Sequence, residues 1–275
     1  MRTVLAIAKD QLADLRHRRV ILALVLAAVL FSVVLCLLSV GMSAVGERTQ
    51  LMSELSEEQR MDLALSTGMT KYMLQTALYA LVFFVGSLLS LITFCGLVSS
   101  ERVTGSLPWV LSKPITRTQF LVGKWIGASA MALIYAAIMS AVLLGVTWFT
   151  ERSVPARISY ACMVMPFKFV LLGSVGAFLA ALMPPAFAGV LAYFGGAQLF
   201  QRIGHWIAPW DWLRVPFTGL YYAAPSYAKF NLHIDLMLGR EIPLPRVLLL
   251  IAYALAYSAV MLLLTCMLFR RRDVV

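Results

Sequence analysis

The chain has 275 residues, 61% of them hydrophobic and only 13% charged, against roughly a quarter charged in a soluble domain, and this balance excludes a water-soluble fold. The formal net charge of +10 does not point to nucleic acid, because the basic residues gather at the edges of apolar runs rather than in one patch. Runs of about 20 apolar residues, long enough to cross a hydrocarbon core of roughly 30 Å, recur along the chain, so the expected fold class is an all-α integral membrane protein.

In residues 1–19, Val4, Leu5, Ala8, Leu12 and Leu15 recur at helical spacing, while Arg2, Lys9, Asp10, Arg16 and Arg18 fall largely elsewhere. This pattern suits a cytoplasmic interfacial helix. A plain positively charged anchor is the alternative. The first apolar run, Val20 to Val40, is too long for the core of a signal peptide and no A-x-A site follows, so it reads as a retained span. Gly41 to Lys71 carries Glu47, Glu54, Glu57, Glu58 and Asp62 and reads as a solvated external hairpin. Within it Ser56 to Leu65 has the signature of one short helix, with Ser56 as N-cap and two acids in the first turn.

The second span is Leu74 to Val98. After it comes a polar stretch, Ser99 to Gly127, reading SSERVTGSLPWVLSKPITRTQFLVGKWIG. Gly105 to Ser112 suits a brief helix with Ser106 as N-cap and Leu107, Val110 and Leu111 as its apolar side. Lys113-Pro114 ends it, since a residue before Pro disfavours the helical region. A new helix is expected from Thr116, with Gln119 three positions on completing a capping box. Arg117 and Lys124 then fall near the inner surface, where anchoring to phospholipid accounts for them as well as any other role does. Glu101 is more telling, because a carboxylate at the membrane edge gains nothing from the positive-inside rule.

The third span is Trp125 to Phe149, the fourth about Phe167 to Met183, the fifth about Ala186 to Phe200 and the sixth Leu244 to Phe269. Met183-Pro184-Pro185 separates the short fourth and fifth runs, and a tight turn fits there. One broken segment is the alternative. Lys168 falls near the outer start of the fourth run, either as a charge on a transport pathway or as a side chain snorkelling to the interface. Residues 201–246 form an external region dense in aromatics, Tyr221, Tyr222, Tyr227 and Phe230 among them, suited to re-entrant or interfacial helices or to an aromatic belt. Gly41, Gly86, Gly96, Gly173 and Gly176 fit close helix packing, and Gly195-Gly196 fits a hinge in the fifth span.

Charge orients the spans. The segments 1–19, 99–124 and 269–275 hold twelve Lys or Arg and four acids, while the remainder holds eleven basic residues and nine acids over a longer length. Six spans with both termini cytoplasmic satisfy the positive-inside rule.

Cys36, Cys95, Cys162 and Cys266 lie singly in or beside apolar runs, and His17, His205 and His233 have no H-E-x-x-H spacing, so no metal site is read. No Gly-x-x-x-x-Gly-Lys-Ser/Thr loop is present, so the chain is not expected to be an ATP-hydrolysing enzyme or to bind a cofactor.

Glu101, the Gly105-Ser106-Leu107 triplet, Ser112-Lys113-Pro114, Arg117 and Gly123-Lys124 match in order and spacing the cytoplasmic loop of exporter-type (ABC-2-type) ABC transporter permeases, which the chain resembles. Tyr221-Tyr222, Pro225 and Phe230-Asn231 resemble a stretch of the same family, and Phe269 to Asp273 resembles its ending. Pro108 departs from the polar or acidic helix former usual there. The resemblance implies a single permease domain over 1–275 with the exporter-type six-helix fold. It implies a coupling loop at 99–124 that carries Glu101, Gly105, Ser106, Leu107, Leu111, Lys113, Pro114, Arg117 and Lys124. An interfacial helix bearing Lys9, Arg16 and Arg18 would join the ATPase surface, and Lys168, Tyr221, Tyr222 and Pro225 would lie at a pathway or interface. The implied partners are two copies of a cytoplasmic ABC ATPase that hold ATP and Mg, a second permease copy or paralogue, and membrane lipids. The implied place is a bacterial inner membrane. An ion-coupled secondary carrier and a non-transporting scaffold that recruits a cytoplasmic protein are the alternatives, and the nearly charge-free spans favour an amphiphilic cargo over a free ion.

Overall fold

The computed structural model describes residues 4–8, 56–104, 116–196 and 224–271. Among these there is no strand. The elements are α1 (Glu57–Thr104), α2 (Arg117–Glu151), α3 (Ala156–Leu182), α4 (Pro185–Phe194), a 3-10 turn (Tyr227–Phe230), α5 (His233–Met237) and α6 (Leu244–Arg271). Among the described residues four stretches are long and apolar enough to cross a membrane: Gln75–Leu97, Arg117–Phe149, Ala156–Leu182 and Leu244–Phe269. The first apolar run, Val20 to Val40, lies outside the described residues.

The helix α1 is 48 residues long, about 72 Å at 1.5 Å per residue. It starts at Glu57, directly after Ser56, where the sequence signals a helix, but it does not stop at Leu65. No Pro interrupts 57–104, and Gly68, the one glycine ahead of the span, costs only about 1 kcal/mol, so a helix already nucleated runs straight into the span. The same persistence keeps 99–104 helical, and α2 starts at Arg117, so both ends of the stretch expected as a loop over 99–124 are helical, while 105–115 lies outside the described residues.

Thr116 caps α2 as its sequence predicts. The Gln119 backbone N–H donates to the Thr116 hydroxyl at 3.2 Å, and the Thr116 backbone N–H donates to Gln119 Oε1 at 3.1 Å. Arg152, with φ 54°, closes the other end of α2.

Two expectations for the middle of the chain need correction. The fourth span is not short: α3 begins at Ala156, behind Pro155, and runs 27 residues with Pro166 inside it. The fifth run is not a full span within the described residues. Its helix α4 has 10 residues, about 15 Å, half the hydrocarbon thickness. Gly195 caps α4, and the residues beyond Gly196 that a hinge in the fifth span would need lie outside the described residues. The turn at Met183 and Pro184 is as expected, because both residues are extended and the chain folds back. A Cβ placed on Gly176 of α3 would lie 3.9 Å from Ala192 of α4.

The core is organised by α3, of whose most apolar window 72% is buried, against 22% for α6 on the periphery. Glycines let neighbours approach it: a side chain on Gly86 would meet the rings of Phe169 and Tyr135, and one on Gly173 would meet Phe94. Hydrogen bonds reinforce the contacts. The Ser90 hydroxyl of α1 donates to the Phe169 carbonyl at 2.5 Å, and the Tyr135 hydroxyl of α2 donates to the Val82 carbonyl at 3.1 Å.

Candidate functional site

One end of the bundle gathers the segments that the sequence assigns to ATPase coupling. Phe94 and Leu97 near the end of α1, Phe120 and Leu121 at the start of α2, Ala177 of α3, and Cys266 and Phe269 at the end of α6 form one apolar cluster, with Ile7 packed on it. Residues 4–8 are helical, with Ala8 buried and Leu5 61% exposed, so the inward face is set by Ile7 and Ala8 rather than by Leu5. Gly123 admits this segment closely, because a side chain there would meet Ile7 and the Val4 carbonyl.

Glu101 lies in the last turn of α1 and Arg117 is the first residue of α2. Lys124 does not reach toward headgroups, since it is buried and its Nζ lies 5.1 Å from the centroid of the Phe120 ring. Gly105, Ser106, Leu107, Leu111, Lys113 and Pro114 lie outside the described residues, as do Lys9, Arg16, Arg18, Tyr221 and Tyr222.

Toward the opposite end a cavity of about 290 Å³ opens between α1, α3, α4 and the segment that follows residue 224. Lys168 lies in its wall, twelve residues or about 18 Å along α3 from Ala156. It is only 7% exposed, and its Nζ sits 3.3 Å from the centroid of the Phe83 ring. A cation over an aromatic face is stabilised by the ring quadrupole. Lys168 is therefore an interior residue, and snorkelling to an interface is ruled out by its burial. No carboxylate among the described residues pairs with it. Asp235, the acid of the adjoining α5, is bound by Arg246 at 2.9 Å.

Tyr79, Tyr193, Tyr227, Asn231 and His233 also line the cavity. The Tyr79 and Tyr227 hydroxyls are buried and have no hydrogen-bond partner among the described residues. Burial holds the Tyr227 phenol well above its ordinary range, so it stays neutral and able to donate. The segment bearing it is fixed to α6: the Ser226 backbone N–H donates to the Tyr253 hydroxyl at 3.1 Å, and the rings of Phe230 and Tyr253 lie 6.2 Å apart. Pro225 is buried beside this segment but does not line the cavity.

Residues 5–194 match the family model described as ABC-2 family transporter protein. The chain belongs to that family. No curated protein matches it. It is thus the membrane permease of an ABC transporter, a multi-pass membrane protein that works with an ABC ATPase subunit.

The permease holds its sequence-predicted residues in two groups. Arg117 and Lys124 lie at the end where Ile7 and Phe269 meet, and Lys168 and Pro225 lie toward the other. Sequence reading missed Tyr79, Phe83, Tyr193, Tyr227, Asn231 and His233 as companions of Lys168. The available signal was Lys168 itself, a lone charge in an apolar run that needs a polar or aromatic environment. Which residues supply that environment depends on how α1, α3 and the 224–233 segment meet.

Proposed function

We propose that this permease is the six-span, exporter-type transmembrane subunit of an ABC transporter in a bacterial inner membrane, with both termini cytoplasmic. It forms one domain over 1–275 and pairs with a second permease copy or a paralogue. Two copies of a cytoplasmic ATPase supply all nucleotide chemistry with ATP and Mg, because this chain carries no phosphate-binding loop. The supporting observation is the meeting of the N-terminal segment, the start of α2 and the end of α6 at the end where α1 and α2 are joined by 105–115.

In this reading 105–115, with Gly105, Ser106, Leu107, Leu111, Lys113 and Pro114, docks into the ATPase, flanked by Glu101, Arg117 and Lys124. The helix bearing Lys9, Arg16 and Arg18 completes the docking face. ATP binding draws the two loops together and hydrolysis resets them, moving an amphiphile outward between the permeases.

Co-purification with ABC ATPases of the same genome, followed by ATPase assay of wild type and Glu101→Ala in lipid nanodiscs, tests the proposal. Stable association with activity lost in the variant supports it. Activity indifferent to Glu101 removes the coupling role.

A further inference from the structure

The cavity around Lys168 has a chemical bias. Its one charged group is a cation that is nine-tenths buried, with an aromatic face on one side and no carboxylate among the described residues to balance it. Asn231 and His233 add polar surface, and the side chains of Tyr79 and Tyr227 form part of the wall. A buried cation without a counter-charge is costly to leave as it is. The group that relieves it beside Asn231 and His233 is an oxyanion, which brings negative charge and several acceptor lone pairs at once.

The rest of the cavity says what the oxyanion is attached to. Ala80 and Phe84, both exposed on the outer face of α1, form part of the lining, so the cavity opens sideways at the surface of the bundle. Phe84 and Tyr193 meet edge to face at 6.1 Å on that side, and Leu172 adds an aliphatic wall. The volume suits a head group and not a whole lipid, which places an attached chain outside along apolar surface.

We propose that this cavity binds the phosphate or carboxylate head of a singly anionic amphiphile, with Lys168 as counter-ion, Asn231 and His233 as hydrogen-bonding groups, and the tail leaving past Phe84. As a binding site it stands on this geometry alone. As the site of the transported substrate it rests on the exporter reading above.

Native mass spectrometry of the purified full-length permease, titrated separately with phosphatidylglycerol, oleate, phosphatidylcholine and inorganic phosphate, tests it without any ATPase. The expected result is that phosphatidylglycerol or oleate binds about tenfold tighter than phosphatidylcholine, and that Lys168→Met abolishes the preference while Lys168→Arg keeps it. Met fills a similar volume without charge, so that variant is expected to fold. Asn231→Leu, at a half-buried position, gives a second route to the same loss. An anionic preference that survives both Lys168→Met and Asn231→Leu overturns the proposal. Binding of inorganic phosphate as tight as that of either anionic amphiphile overturns its amphiphile part. If the preference holds but the ligands leave partner ATPase activity unchanged, the site stands and the substrate role falls.

Discussion

Trp125 of α2 donates its indole N–H to the Ser174 hydroxyl of α3 at 3.0 Å, and Ser174 in turn donates to the Val170 carbonyl at 2.7 Å. This relay ties the helix that follows 105–115 to the central helix of the core. Ser174→Ala strands the indole N–H and is expected to destabilise by about 1–3 kcal/mol, whereas Trp125→Phe leaves Ser174 bonded to Val170 and costs about 1 kcal/mol in hydrogen bonding. The double variant should lose less than the sum, a coupling visible in a double-mutant cycle of denaturant unfolding in detergent. Strict additivity would mean the bond contributes nothing.

The capping box at Thr116 gives a more local outcome. Thr116→Ala removes one acceptor at the start of α2 and should cost about 1 kcal/mol, and Thr116→Ser should restore most of it. Amide exchange is the suitable measurement, with protection near Gln119 falling about fivefold in the Ala variant and the middle of α2 unchanged.

Glycines of this fold should divide by what surrounds them. At Gly86 even a methyl group meets the Phe169 and Tyr135 rings, so Gly86→Ala is expected to lower stability by about 1–3 kcal/mol. Nothing lies within 4 Å of the corresponding position at Gly145, and there the Ala variant should be neutral or stabilising by up to about 1 kcal/mol. Melting temperatures of the two variants in the same detergent check the contrast, and equal shifts would contradict it.

Gly239 answers to backbone conformation instead. Its φ of +65° lies in the left-handed region, and its carbonyl accepts from Arg157 Nη1 at 3.4 Å. Gly239→Ala is expected to cost about 1 kcal/mol through strain. Limited proteolysis between α5 and α6 should speed up accordingly, and an unchanged cleavage rate would count against strain at this position.

Much of this architecture was legible because its signals are local. The capping box needs only Thr116 and Gln119, and the apolar runs at 74–98, 125–149 and 244–269 need only their own composition. The reading faltered where the outcome depends on neighbours or on helix propagation. Pro166 looks like the edge of a span, yet α3 carries it inside, since packing of α3 against its neighbours offsets what one missing backbone hydrogen bond removes. The extension of α1 back to Glu57 follows from the low cost of prolonging a formed helix, which no short window reveals. Lys168 was visible as an anomaly, but whether it faced lipid, headgroup or interior was decided by Phe83, seen only once α1 and α3 are side by side.

The uninterrupted length of α1 gives it unequal arms about one of its anchorages on α3. Ser90, bonded to the Phe169 carbonyl, lies about 50 Å along the helix from Glu57 and about 21 Å from Thr104. Any tilt of α1 about that point sweeps the Glu57 tip more than twice as far as the Thr104 tip, so a small displacement beside Glu101 is geared up into a larger excursion beyond Tyr79.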